Sequence, residues 1–220
     1  MDNQLSISDK RAIISKIDHT MLKVDAVWDD IKRICDEARE FKTASVCIPP
    51  CFVKAAVGYL NGEIPVCTVI GFPNGYMSLE TKVFETEDAV RNGAEEIDMV
   101  INIGKVKDGD YNYVSDEIKA VRKACEGKIL KVIIETCLLT EEEKIELCKI
   151  VSQSGADFIK TSTGFSKGGA THDDIVLMKK HSFGIKIKAA GGIKDVDTAI
   201  DFINCGADRL GTSSLLKMLV

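Results

Sequence analysis

The stretch GADFIKTSTGF, residues 155–165, places a helix-ending glycine, an apolar strand-like run and a glycine loop in one line. Gly155 is suited to close a helix in the left-handed conformation, Ala156 permits close packing, and Asp157 leads into the apolar run from Phe158 to Ser162. The same opening recurs as GAEEIDMV at 93–100 and as GADRLGTSS at 206–214. A helix that closes on Gly-Ala-acid, with a strand following at once, is the repeating unit of an alternating α/β chain.

Outward from these units, short apolar runs recur at 17–19, 45–48, 66–71, 97–102, 130–135, 158–162, 185–190 and 209–211, which makes eight candidate strands. VCTVIGF, IDMVINI and KVIIET are nearly continuous, as expected of parallel strands covered on both faces. The intervening segments have helical periodicity: residues 26–41 carry Val27, Ile31, Ile34, Cys35, Ala38 and Phe41 on one face. Helix starts are legible in the capping-box spacing of Thr140 and Glu143, a similar pair at Thr171 and Asp174, and Asp195. Eight such units in 220 residues predict an α/β fold of the closed (β/α)₈ kind, a TIM barrel, with a short N-terminal helix before the first strand. An open, doubly wound sheet holding a dinucleotide would want a glycine-rich first turn and an acid about twenty residues on, and nothing after Ile17 fits. With no linker or low-complexity stretch, residues 1–220 read as a single domain.

Composition narrows the function classes. A net charge of −5, with both signs mixed along the chain, offers no basic stripe for nucleic acid. No apolar run approaches the roughly 18 residues of a membrane span, and the opening MDNQLSISDKR lacks a basic segment followed by an apolar one, so a cytoplasmic location is expected. The eight cysteines are scattered and contain no CxxC pair; buried free thiols are the expected state. Cys47 and Cys51 lack matching histidines, so no metal is expected there.

In a barrel of this kind, catalytic groups stand at the C-terminal ends of strands. Lys160 in FIKTSTGF and Lys188 in KIKAAGGI interrupt apolar runs, where burial and a second nearby cation should make a lysine lose its proton more easily. The neutral amine can attack a carbonyl to form an imine, an electron sink for carbon–carbon cleavage. The alternative is that each lysine lines the barrel mouth or pairs with an acid. Asp98 in EIDMVIN is placed either to pair with a barrel lysine or to transfer a proton, and both can hold at once. Asp18, Lys131 and Glu135 are weaker candidates of the same kind for a polar network inside the barrel.

Two late turns read as a phosphate cradle. Gly191, Gly192 and Lys194 follow the seventh strand, while Gly211, Ser213 and Ser214 follow the eighth and open a short terminal helix over 215–219. Gly164, with the glycines at 168 and 169, is a candidate third donor loop, or else a flexible connection. His172 and His181 are expected on the surface, His19 beside Asp18 could orient a network, and Trp28 and the methionines should serve packing. Glu141, Glu142 and Glu143 read as a solvated first helical turn without a partner.

Taken together, IDHTMLK, SVCIPP, TVIGFPNG, EIDMVINIG, KVIIET, FIKTSTGF, KAAGGIK and LGTSS have an order and spacing that resembles the deoxyribose-phosphate aldolase family over essentially the whole chain. The resemblance implies a class I aldolase that reversibly cleaves 2-deoxy-D-ribose 5-phosphate to D-glyceraldehyde 3-phosphate and acetaldehyde, without metal or organic cofactor. It implies Lys160 as the Schiff-base lysine, Lys188 as the second lysine that lowers its proton affinity, and Asp98 as proton donor and acceptor. Asp18 and Lys131 join the relay or contact substrate hydroxyls, with Cys47 and Thr163 close by. Gly164, Gly191, Gly192, Lys194, Gly211, Ser213 and Ser214 hold phosphate, and a homodimer or other homo-oligomer is implied. Phe165, Ala190 and Lys194 depart from relatives that carry lysine, serine and arginine there, which bears on phosphate grip. A non-covalent phosphate-binding barrel isomerase and a non-catalytic sugar-phosphate binder are the rival expectations.

Overall fold

The computed structural model describes residues 6–220. Eight parallel strands form a closed barrel in sequential order: β1 Ile17–Thr20, β2 Ser45–Ile48, β3 Val66–Ile70, β4 Glu96–Val100, β5 Ile129–Ile133, β6 Phe158–Lys160, β7 Lys186–Ala190 and β8 Arg209–Thr212. Closure is made by β8 pairing with β1, with Asp18 opposite Gly211. The expected N-terminal helix is present as α1, Ile7–Ile14, with Ser6 and Asp9 forming a capping box. Around the barrel follow α2 Trp28–Phe41, α3 Val53–Leu60, α4 Leu79–Arg91, α5 Ile103–Lys107, α6 Tyr111–Ala124, α7 Glu141–Gln153, α8 His172–His181, α9 Val196–Cys205 and α10 Leu216–Leu219.

Local sequence accounts for these elements. In α2 the buried residues are Ile31, Ile34, Cys35 and Ala38, the stripe that helical spacing predicts. Thr140 and Glu143 form the expected capping box of α7, and Thr171 and Asp195 cap α8 and α9 through their side-chain oxygens. Gly93, Gly155 and Gly206 adopt positive φ (98°, 81° and 115°), and the alanines that follow them are buried. The repeated Gly-Ala-acid element therefore turns each helix back into the next strand. Glu143 is not partnerless as expected: besides its capping role, its carboxylate lies 2.5 Å from Lys107.

The strand faces differ more than the apolar runs suggest. Val46, Ile97, Met99, Leu130, Val132, Ile159, Ile187 and Leu210 point outward into the main hydrophobic core under the helices. The residues between them point inward, and there only Cys47, Cys67 and Val69 make a small apolar cluster. Much of the rest of the interior is charged, because period-two alternation separates Glu96 and Asp98 from Ile97 and Met99. Packing expectations hold for Met21, Met99 and Met178, but Met218 is 50% exposed, and Met1 lies outside the described residues. Trp28 is half-buried, edge-on to Tyr59. Five cysteines are buried free thiols, whereas Cys51 is exposed and Cys137 and Cys205 are half-buried.

A second charge pair lies outside the barrel. Lys82 of α4 is fully buried, donating to Glu117 Oε1 of α6 at 2.6 Å and to the Val100 carbonyl at 2.8 Å. Glu117 Oε2 accepts from the Asn102 amide at 3.0 Å, so the pair ties two helices to the end of β4. Burial pulls the Lys82 ammonium down and pushes the Glu117 carboxyl up, with mutual attraction opposing both. Removing one partner leaves the other buried and uncompensated. Lys82→Met should therefore lose about 3–5 kcal/mol in urea unfolding, and Lys82→Met combined with Glu117→Leu should recover part of that loss.

Candidate active site

The barrel interior holds one connected ion network built from six strands. Asp98 of β4 is at its centre: Oδ1 accepts from Lys131 of β5 at 2.9 Å, and Oδ2 accepts from Lys160 of β6 at 2.7 Å and Lys188 of β7 at 2.6 Å. Lys188 also lies 2.5 Å from Asp18 Oδ2 on β1, and Asp18 Oδ1 accepts from Ser45 Oγ of β2 at 2.8 Å and from Arg209 of β8. Glu96 contacts Lys131 and, at 3.3 Å, Arg209. Strand register produces these meetings, since Lys131 pairs with Asp98, Lys160 with Lys188, and Lys188 with Arg209 across neighbouring strands.

Burial makes the network electrostatically stiff. Asp18, Asp98, Lys131 and Lys188 have no exposed surface, while Lys160 retains 3%. Burial alone would raise the Asp98 carboxyl, but Lys131, Lys160 and Lys188 hold it well below the ordinary aspartate range. Asp18 is likewise depressed, burial being outweighed by Lys188, Lys131 and Arg209. Lys188 is raised despite burial, by Asp18 and Asp98, and Lys131 is raised by Asp98 and its other anionic neighbours. The two lysines meet through an acid: their nitrogens share one oxygen of Asp98, and the charge of Lys188 is fixed by Asp98 and Asp18.

Above this layer is a cavity of about 400 Å³ lined by loops at the C-terminal strand ends. Gly164, Gly191, Gly192, Lys194, Gly211, Ser213 and Ser214 all line it, together with Thr163, Phe165 and Lys23. The wall begins three residues after Lys160, at Thr163, whose amide and hydroxyl both donate to Glu135 Oε2, at 3.2 and 2.5 Å. Lys160, Lys188, Asp98, Asp18, Lys131 and Cys47 do not line the cavity but lie in the layer beneath it; Cys47 is fully buried on the inner face of β2 beside Cys67.

Two details of the cradle differ from expectation. Gly168 and Gly169 are neither donors to the cavity nor a slack connection. A Cβ on Gly169 would fall 2.3 Å from the Gly191 carbonyl oxygen, so that glycine lets the β6 loop lie directly on the β7 turn. The terminal helix is a single turn, and the Ser214 and Leu215 amides already donate to Thr212 Oγ1 at 3.3 Å each, so the helix end offers fewer free donors than its position implied. Gly191 and Gly192 do adopt the left-handed conformation, with φ of 80° and 77°.

Sequence reading missed Glu96, Arg209, Cys67 and Lys23. The first carried a usable signal, since Glu96 lies two residues before Asp98 on the same strand face. Cys67 is held between Lys131 Nζ at 3.3 Å and Asp98 Oδ1 at 3.2 Å, and burial, with Cys47 and Asp98 beside it, pushes its thiol well up. His19 is buried and bonded to Glu37 at 2.6 Å, facing the helices rather than the network. His172 is exposed as expected, but His181 is half-buried.

A closed barrel with a lysine-rich ionic floor under a glycine-lined cavity is an enzyme scaffold of the aldolase class, and the chain belongs to the DeoC/LacD family of aldolases, whose pattern it matches over residues 11–219. It is 57% identical over 208 residues to the deoxyribose-phosphate aldolase of Clostridioides difficile strain 630, covering 94% of this chain and 95% of that one. The Streptococcus pyogenes serotype M4 deoxyribose-phosphate aldolase is 55% identical, over 94% of this chain and 93% of its own. The crystal structure of the tetrameric deoxyribose phosphate aldolase from Aeropyrum pernix superimposes with a TM-score of 0.90 at 28% identity, covering 96% and 91% of the two chains.

The depressed Asp18 carboxyl gives a pH test. Its folded value lies below its ordinary 3.8, so its contribution to stability is complete above that value and drains away as the pH falls toward the folded value. The stability gap between the native chain and Asp18→Asn, measured by urea unfolding, should therefore shrink between about pH 5 and about pH 3.

Proposed function

We propose that the chain is a class I aldolase acting on 2-deoxy-D-ribose 5-phosphate, with Lys160 as the nucleophile. The observation that carries this reading is the position of Lys160: it alone among the network lysines keeps a trace of exposure, at the strand end directly preceding the cavity wall, with its nitrogen on Asp98. Charge balance supports it. Asp18, Glu96 and Asp98 face Lys131, Lys160, Lys188 and Arg209, so three carboxylates match three cations when Lys160 is the free amine.

In the cleavage direction the Lys160 amine condenses with the C1 aldehyde and water leaves, giving a protonated imine. Loss of the C3 hydroxyl proton then breaks the C2–C3 bond. The electron pair moves into the imine to form an enamine, and D-glyceraldehyde 3-phosphate departs. Protonation of the enamine at C2 and hydrolysis release acetaldehyde and restore the amine. Asp98 Oδ2, shared by Lys160 and Lys188, is the proton station for these steps, taking up the C3 hydroxyl proton and returning a proton to C2 of the enamine, and Lys188 supplies the fixed positive charge that steadies it. Asp18, Lys131 and Cys47 act from behind this layer, while Thr163 orders the loop entering the cavity. The phosphate is received by the Gly191–Gly192 turn, Gly164, Gly211, Ser213 and Ser214, with Lys194 and Lys23 supplying charge. A cytoplasmic setting and a homo-oligomeric assembly complete the proposal; among the described residues no helix is long and apolar enough to cross a membrane. Nothing in the site favours the non-covalent isomerase or the binder reading.

Borohydride added with 2-deoxyribose 5-phosphate should leave one covalent adduct per chain, mapped to Lys160 by peptide mass. Lys160→Leu should lose the adduct and on the order of 10⁴-fold or more in kcat while remaining folded. A folded, ligand-binding protein without an adduct would overturn the covalent mechanism.

Phe165 is 49% exposed and meets Phe72 edge-on with ring centres 5.3 Å apart, giving the cavity an apolar lip. A lysine there would add a point charge near the phosphate. Phe165→Lys should raise the ratio of kcat/KM for phosphorylated over unphosphorylated acceptor aldehydes several-fold, and comparable ratios for the two proteins would argue against this account of the lip.

A further inference from the structure

On the outer layer, away from the cavity, α8 and α9 pack together, and three side chains of different donor type converge where α8 begins. His172 is the first residue of α8, and Asp201 and Cys205 stand one turn apart on α9. His172 Nδ1 lies 2.9 Å from Asp201 Oδ2 and 3.3 Å from Cys205 Sγ, and Cys205 Sγ lies 3.8 Å from Asp201 Oδ1. His172 and Asp201 side chains are 56% and 45% exposed, so an ion can reach the point between the three.

As a hydrogen-bonded set the arrangement is loose: when His172 Nδ1 donates to Asp201 it has nothing left for the Cys205 thiol beside it, whose remaining bond is a 3.8 Å contact to Asp201 Oδ1. As a set of ligands it is well matched. Zinc bonds of about 2.0–2.3 Å to oxygen, nitrogen and sulfur in tetrahedral geometry space the donor atoms about 3.3–3.6 Å apart, and the three observed separations bracket that range. Thiolate and imidazole together select a borderline ion over magnesium or calcium, which prefer all-oxygen sites.

We propose that His172, Asp201 and Cys205 form a surface zinc site, with the fourth position taken by water. The site joins the helix that follows β6 to the helix that follows β7. Because His172 comes directly after the segment carrying Thr163 and Gly164, a bound ion fixes the far end of that segment to α9. Binding replaces the proton of the Cys205 thiol, which goes to solvent, and takes His172 as the neutral ring with its proton on Nε2, an imidazolium releasing one further proton.

The test uses the tag-free full chain, reduced and stripped of metal with a chelator, then titrated with Co²⁺ and, in competition with a chromogenic chelator, with Zn²⁺. One equivalent of Co²⁺ should produce a thiolate-to-cobalt charge-transfer band that Zn²⁺ abolishes. Cys205→Ser should lose the band, and His172→Ala should weaken Zn²⁺ binding by about a hundredfold or more, since even outer-sphere losses cost about 10–100-fold. Cys51→Ser, removing an exposed thiol elsewhere, should change neither. Zn²⁺ should also protect Cys205, but not Cys51, from alkylation. Absence of the band in the native chain, its persistence in Cys205→Ser, or equal Zn²⁺ affinity in the native chain and His172→Ala would each overturn the site.

Discussion

The carboxylate of Asp98, holding three lysine nitrogens on two oxygens inside a sealed barrel, is the constraint from which the rest of the site follows. An isolated buried ammonium is costly, and three together are tolerable only because Asp98, Asp18 and Glu96 interleave with them and Arg209 closes the chain of charges. Asp18 and Asp98 are held ionised by their cations, and Lys131 and Lys188 are held charged by their acids. Lys160 differs from Lys131 and Lys188 by having one carboxylate contact and a trace of exposed surface, the asymmetry on which its proposed role as the reacting amine rests.

The scaffold delivers this asymmetry through register and loop contact. Parallel pairing sets Lys160 beside Lys188 and Asp98 beside Lys131, so the network assembles when the barrel closes. Outside it, Lys82 and Glu117 hold the end of β4, the strand that presents Asp98. The Gly169 contact with Gly191 brings the loop after β6, the strand of Lys160, against the turn after β7, the strand of Lys188. Floor and cradle are thereby held in one frame by backbone, with little left to side-chain adjustment.

Much of this was legible in the residue order. The recurring Gly-Ala-acid units and alternating periodicities gave the barrel, because both rest on local rules for turning and burial. Lys160, Lys188 and Asp98 stood out because charge inside an apolar run is conspicuous. Glu96 and Arg209 sit at strand beginnings, where charge is ordinary; the two-residue spacing from Asp98 marks Glu96 as inward, whereas for Arg209 only the three-dimensional register does so. The Lys82–Glu117 pair was not read from the residue order, since its meeting across 35 positions leaves no local mark. The late glycine turns do line one cavity, but the amides taken up by Thr212 could not be counted without coordinates.

The Phe72–Phe165 lip and the rim residues Lys23, Lys194 and Ser213 share no hydrogen bond or ion pair with the charged floor among the described residues. Chemistry and recognition therefore occupy separable layers of one barrel. The floor is locked: any single change of charge strands a partner, so it can drift only by coordinated exchange. The rim carries no such bookkeeping, and it is the part of the molecule that selection or design can rewrite one residue at a time to admit a different aldehyde without retuning the amine.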